Sequence, residues 1–177
     1  LEDLGDEQME LTDELLARMP AGDRKTLGPR LAAAASKINY GSLEEVTSAL
    51  EIITTDLEMY PGDDLGGALF LRAKGHELAA ELMAEDDPAA ARTHQLDACI
   101  DYMYVLVFFV YVDEAPEAAY RAAELNEAIG AESSARQLYE VIATGGMGLG
   151  VDNDFTEKAV AALERLDTQE TETPADD

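Results

Sequence analysis

The sequence predicts an all-α fold, and three observations carry the prediction. Apolar residues recur at three- and four-residue spacing along most of the chain. Helix stop and start signals at Pro20, Gly41, Pro61-Gly62, Asp87-Pro88, Pro116 and Gly130 cut it into segments of helix length. There is no long alternating apolar–polar run and no Asn-Gly hairpin turn to argue for a sheet. The expected architecture is a single bundle-like domain over residues 1–166, with about seven or eight helices around a central apolar helix. Residues 167–177 (DTQETETPADD) read as a disordered acidic tail. A short solenoid of helical hairpins is the alternative architecture.

The elements follow in order. Residues 6–19 carry Met9, Leu11, Leu15, Leu16 and Met19 at helical spacing, and Pro20-Ala21-Gly22 ends them. Residues 23–40 place Leu27, Leu31, Ala34, Ala35 and Ile38 on one face, with Gly41 positioned as a C-terminal cap. Ser42-Leu-Glu-Glu45 is a capping box that opens the third helix, whose apolar face is Val46, Ala49, Leu50, Ile53 and Leu57. The fourth, residues 64–86, has Ala68, Leu71, Gly75, Leu78 and Leu82 as its stripe. Asp87-Pro88 supplies an N-cap and a first-turn proline for a fifth helix running to about Val112. The sixth begins at Ala115-Pro116 and closes at Gly130, and the seventh spans 132–143. GGMGLG (145–150) is a break, and Asp154-Phe-Thr-Glu157 is a second capping box that opens a last helix to Leu166.

The fifth segment decides the architecture. From Tyr102 to Val112 no residue is charged. Eleven residues are far short of the roughly 20 that span a bilayer as a helix, and Asp97, Asp101, Asp113 and Glu114 flank them. Their β-branched and aromatic content favours a strand. Yet they continue from the alanine-rich lead PAAARTHQLDACI, which starts with a strong helix signal. A helix apolar all round is one covered all round, so this segment is expected to be the buried centre of the bundle.

Composition bounds the environment. Among 177 residues, 38 acids against 12 bases give a formal charge of −26. Four bases are lysines, Lys25, Lys37, Lys74 and Lys158. Acidic chains can be disordered, but here apolar residues are plentiful and periodic. The balance fits adaptation to molar salt, as in salt-in halophilic archaea, where the screening length falls to about 3 Å and acidic charge maintains solubility. Nucleic acid and anionic membrane surfaces are disfavoured as partners, because the densest basic group is Arg24, Lys25 and Arg30. The single cysteine, Cys99, excludes an internal disulfide and reads as a buried, inert thiol. The opening LEDLGDEQME lacks a basic start and apolar centre, so a cytoplasmic location is expected.

Chemistry-bearing patterns are few. GGMGLG follows a helix and matches neither phosphate-cradling spacing. Asp152-Asn153-Asp154 lacks a calcium loop's alternating ligands. There is no G-x-S-x-G elbow and no nucleophile–base set. One acidic constellation remains. His94, Asp97 and Asp101 share a face of the fifth segment, and Glu77 and Glu81 lie at i, i+4 on the fourth. An antiparallel hairpin about Asp87 brings Glu77 level with Asp97, and paired carboxylates on facing helices are a donor set for Mg²⁺. Against this, Glu77 and Glu81 fall almost opposite the apolar stripe of their helix, beside Lys74 and Glu85, as a solvated face does.

HELAAE followed by DACIDYMYVLVFF resembles the E-x-x-E … E-x-x-D motif of the all-α nucleoside-triphosphate pyrophosphohydrolases over some 35 residues. Both pairs here have three intervening residues instead of two. The resemblance implies a Mg²⁺-dependent nucleotide hydrolase that uses Glu77, Glu81, Asp97 and Asp101, with His94 beside them. AAYRAAELNEAIGAESSARQLYE resembles one tetratricopeptide hairpin, with Ala123, Gly130, Ala135 and Tyr139 at its small, loop, small and aromatic positions. No second repeat follows in register.

Two functions are therefore expected from different classes. The first is a non-catalytic helical protein acting through protein contacts, with another protein or with itself as a homodimer, and with no catalytic residues and no cofactor. The second is the Mg²⁺ hydrolase.

Overall fold

The structure is a computed structural model and describes residues 27–59 and 65–172. The expected first helix, the Pro61-Gly62 stop and the end of the tail lie outside the described residues. Seven α-helices and one 3-10 turn are present, and no strand occurs among the described residues. In chain order they are α1 (Leu27–Tyr40), α2 (Leu43–Met59), α3 (Leu65–Met83), α4 (Pro88–Phe108), α5 (Ala115–Ala128), α6 (Glu132–Ala143), the 3-10 turn Gly146–Gly148, and α7 (Asp154–Glu172). The protein is all-α, and its helices pack on one another. They form two compact units that divide between Asp101 and Tyr102, inside α4. α7 continues past Leu166 to Glu172, into residues that read as tail in the sequence.

In the first unit α1 packs on α2, and both pack on α3. Leu31, Ala34 and Ile38 of α1 meet Ala49 and Ile53 of α2 and Ala68 of α3, with Leu57 and Leu71 at the margin. Val46 and Leu50 form a second cluster with Ala79 of α3. Each fully buried Ile or Leu contributes about 1.5–3 kcal/mol. Small residues on α3 let the backbones approach. At Gly75 a Cβ would lie 2.8 Å from Leu50 Cδ2 and 3.0 Å from Ile38 Cδ1.

Two expected caps form with altered details. At α2 the Glu45 carboxylate accepts from both the Ser42 amide (2.7 Å) and the Ser42 hydroxyl (2.9 Å). These bonds hold the Glu45 carboxyl below its usual range. At α7 the cap is Asn153, not Asp154: its Oδ1 accepts from the Phe155 amide at 3.0 Å. Asp154 is already helical, where its charge suits the N-terminal dipole.

α4 begins as the sequence predicts. Asp87 Oδ1 accepts from the Ala90 amide at 3.0 Å, and Pro88 occupies the first helical position. The helix ends at Phe108, short of Val112. The Phe109 amide still reaches Val105 O (2.9 Å), but the Val112 amide bonds Phe109 O (3.0 Å), a tight turn leading to α5. Pro116 then fixes the first turn of α5. The expectation of cover on every side also needs correction. Ala98, Tyr102, Val105 and Leu106 are buried, whereas Ile100, Tyr104, Val107 and Phe108 are half exposed or more. An apolar circumference signals a need for cover, and the described residues supply only part of it.

The second unit is a compact array in which α5 packs on α6, α6 on α7, and α5 on α7. α5 presents Ala115, Ala118, Ala119, Ala122 and Ala123 to the interior, so the larger Leu138, Tyr139 and Ile142 of α6 can fill the space. Gly130 closes α5 with a Schellman motif: the Ala131 amide donates to Asn126 O (2.8 Å) and the Gly130 amide to Glu127 O (2.9 Å). Its φ of +82° is why glycine stands there. At the far end of the unit, Arg165 of α7 grips the Glu127 carboxylate through both terminal nitrogens, and Tyr139 donates to the same group at 3.3 Å.

Candidate functional site

α3 and α4 form the antiparallel hairpin that the turn at residues 84–87 requires. Its facing sides carry all the ionisable groups of interest. Arg72 donates to Asp101 in bidentate fashion, Nε to Oδ2 and Nη2 to Oδ1, both at 2.7 Å. Asp101 is 3% exposed and so is well removed from water. The hydrogen bonds to Asp101 hold Arg72 firmly charged. One helical turn nearer the loop, His76 Nδ1 and His94 Nδ1 lie 2.8 Å apart, and their rings are tilted at 38°. Asp97 joins them: one donor atom from each of His76, His94 and Asp97 lies within 4.8 Å of the others. Burial lowers the His76 pKa, and the nearby carboxylates of Asp101 and Asp97 oppose that shift only in part.

The residues expected from the sequence are thus divided. His94 and Asp97 come together. Asp101 lies one turn on and is engaged by Arg72. Glu77 and Glu81 are not part of the three-residue group, and Glu81 is exposed. The register was legible, since the hairpin does set position 77 near the level of 97. One residue on a helix is about 100°, so His76 and its neighbour Glu77 point in different directions, and it is His76 that meets His94. The overlooked signal is Arg72 and His76 at i, i+4 on α3, a pair complementary to Asp101, Asp97 and His94 across the hairpin. Two imidazoles and a carboxylate can hold a first-row divalent cation, because imidazole suits Zn, Ni, Cu and Fe whereas Mg²⁺ prefers all-oxygen sites.

A second feature lies on α4 itself. Within the second unit, Tyr104 (50% exposed), Val107 (50%) and Phe108 (62%) recur at spacings of three and one, and Tyr111 (77%) follows in the turn. This spacing places them on one side of the helix. The Tyr104 and Phe108 rings stack with centroids 5.5 Å apart, which makes a continuous apolar surface. Asp113 and Glu114 stand at its C-terminal end. Cys99, on the same helix, is half-buried and in no disulfide. No helix among the described residues is long and apolar enough to cross a membrane.

Comparison of the chain with known protein families, curated proteins and solved structures finds no match. The α5–α6 hairpin nevertheless uses its four singled-out positions as local physics asks. Ala123, Ala135 and Tyr139 are buried, and Gly130 makes the turn.

Proposed function

We propose that this is a non-catalytic, salt-adapted cytoplasmic protein that acts by docking a partner helix on the exposed face of α4. The carrying observation is the stacked and exposed Tyr104–Phe108 pair, continued by Val107 and Tyr111. Contiguous exposed apolar surface of this kind marks interaction sites, and aromatic residues dominate their energetics. Asp113 and Glu114, at the end of that stripe, favour an amphipathic helix that carries Lys or Arg beside its own apolar stripe. A second copy of this chain fits less well. Its own stripe carries the same acids, and residues 95–116 contain no Lys or Arg. The nucleotide-hydrolase reading has less support, because Asp101 is committed to Arg72 and Glu81 faces solvent.

The test is fluorescence anisotropy in molar KCl with two labelled synthetic helices. Both carry one leucine stripe, flanked by lysine in the first and by glutamate in the second. The expected result is binding of the lysine helix alone, weakened about tenfold or more by Phe108→Glu. Equal binding of both helices, or of neither, would overturn the proposal. So would a homodimer seen by light scattering that Phe108→Glu dissociates.

A further inference from the structure

The geometry points to a binding site for a divalent first-row cation of the Zn²⁺, Co²⁺ and Ni²⁺ class, built by His76 of α3 with His94 and Asp97 of α4. The chain contains two histidines, and both are here, from different helices, with Nδ1 atoms 2.8 Å apart. A carboxylate within reach of both completes three donors. In a tetrahedral site with metal–nitrogen bonds near 2.0–2.1 Å the two nitrogens stand about 3.3 Å apart, and at a right angle about 2.9 Å. The rings therefore need to part by only about half an ångström to accept the ion. All three residues are partly buried, which shields the donors while leaving a path for the cation and for completing water ligands.

The frame is as important as the donors. His94 and Asp97 are at i, i+3 on one helix, so their separation is set by backbone geometry. His76 comes from the facing helix, whose register is fixed one turn away by the bidentate Arg72–Asp101 pair. Ligands on two pinned helices are preorganised in a way that ligands on a loop are not. The imidazoles also set the class of ion, because Mg²⁺ and Ca²⁺ prefer oxygen donors.

The chain is heavily acidic, so the experiment must separate this site from unspecific carboxylate binding. Full-length protein without a polyhistidine tag is stripped with chelator and titrated with Co²⁺ and Zn²⁺ in molar KCl. Calorimetry and the visible Co²⁺ spectrum are followed, and circular dichroism reports the fold. One equivalent should bind, with d–d bands that diagnose nitrogen ligation. His76→Gln and His94→Gln should each weaken binding about a hundredfold, and Asp97→Asn about tenfold or more, on the scale of losing one ligand or its support. Glu81→Gln should change nothing. In ¹⁵N spectra the ring nitrogens of both histidines should shift on adding Zn²⁺. Unshifted ring nitrogens, histidine variants that bind as wild type does, or Mg²⁺ competing on equal terms would each overturn the site.

Discussion

Asp101 and Arg72 form the buried ion pair of the α3–α4 hairpin, and they are not equally replaceable. Asp101 has 4% of its side chain exposed and Arg72 has 22%. Removing Arg72 strands a carboxylate with almost no access to water. Removing Asp101 leaves a guanidinium that can swing outward. Breaking a buried pair costs about 3–5 kcal/mol, so Arg72→Ala should fall near that range and Asp101→Ala below it. Urea denaturation of the two variants checks the order. His76 predicts a pH dependence. Its folded pKa is lowered from an ordinary value of 6.5, chiefly by burial, with His94 and Arg72 adding to the shift and Asp101 and Asp97 opposing it. The folded protein therefore binds fewer protons here than the unfolded chain. This stabilisation is complete above pH 6.5 and is lost as pH falls through the lowered folded value. In metal-free protein the melting temperature should drop between pH 7.5 and pH 5.5, and His76→Gln should flatten that slope. At this scale the sequence places His94 and Asp97 on one face of α4, and the structure brings their side chains together. That His76 meets them was not legible, because it depends on the rotation of α3 about its axis, which acid spacing does not report.

Among the elements, α5 and α6 give the cleanest tests. Gly130 has a positive φ and no atom within 4 Å of a built Cβ. Gly130→Ala should thus isolate the backbone cost of the left-handed conformation, about 1–2 kcal/mol. Asn at this position should be tolerated better. The alanine face of α5 is tight for the opposite reason. Ala122 is fully buried, and Ala122→Leu should overpack the interface with α6 by about 1–3 kcal/mol. In a chain of this length that is roughly 2–4 °C of melting temperature per kcal/mol, within reach of calorimetry. Helix existence and order were readable throughout the described residues, because caps, prolines and glycines act locally and the 3.6-residue period is strong. The two differences at helix ends have physical causes. Asn153 captured the α7 cap because its short amide reaches an amide two residues on. α4 stops at Phe108, where the Val112 amide turns back to Phe109 O, and Pro116 sets where the next helix starts.

For the molecule as a whole, a formal charge of −26 predicts that salt stabilises the fold. Melting temperature should rise by several degrees from low-salt buffer to molar KCl, and a curve indifferent to KCl would refute the salt-adaptation reading. The division into two compact units was not visible in the sequence, because the boundary falls inside one continuous helix and no linker composition marks it. The exposed side of α4 was hidden for a related reason. Composition shows how apolar a segment is, whereas cover depends on how many neighbours the fold can place around it. The 2.8 Å approach of the His76 and His94 rings has a last consequence. One ring must offer an N–H at Nδ1 and the other a lone pair. With both rings neutral, they are therefore opposite tautomers, so two chemically identical side chains become a matched donor and acceptor.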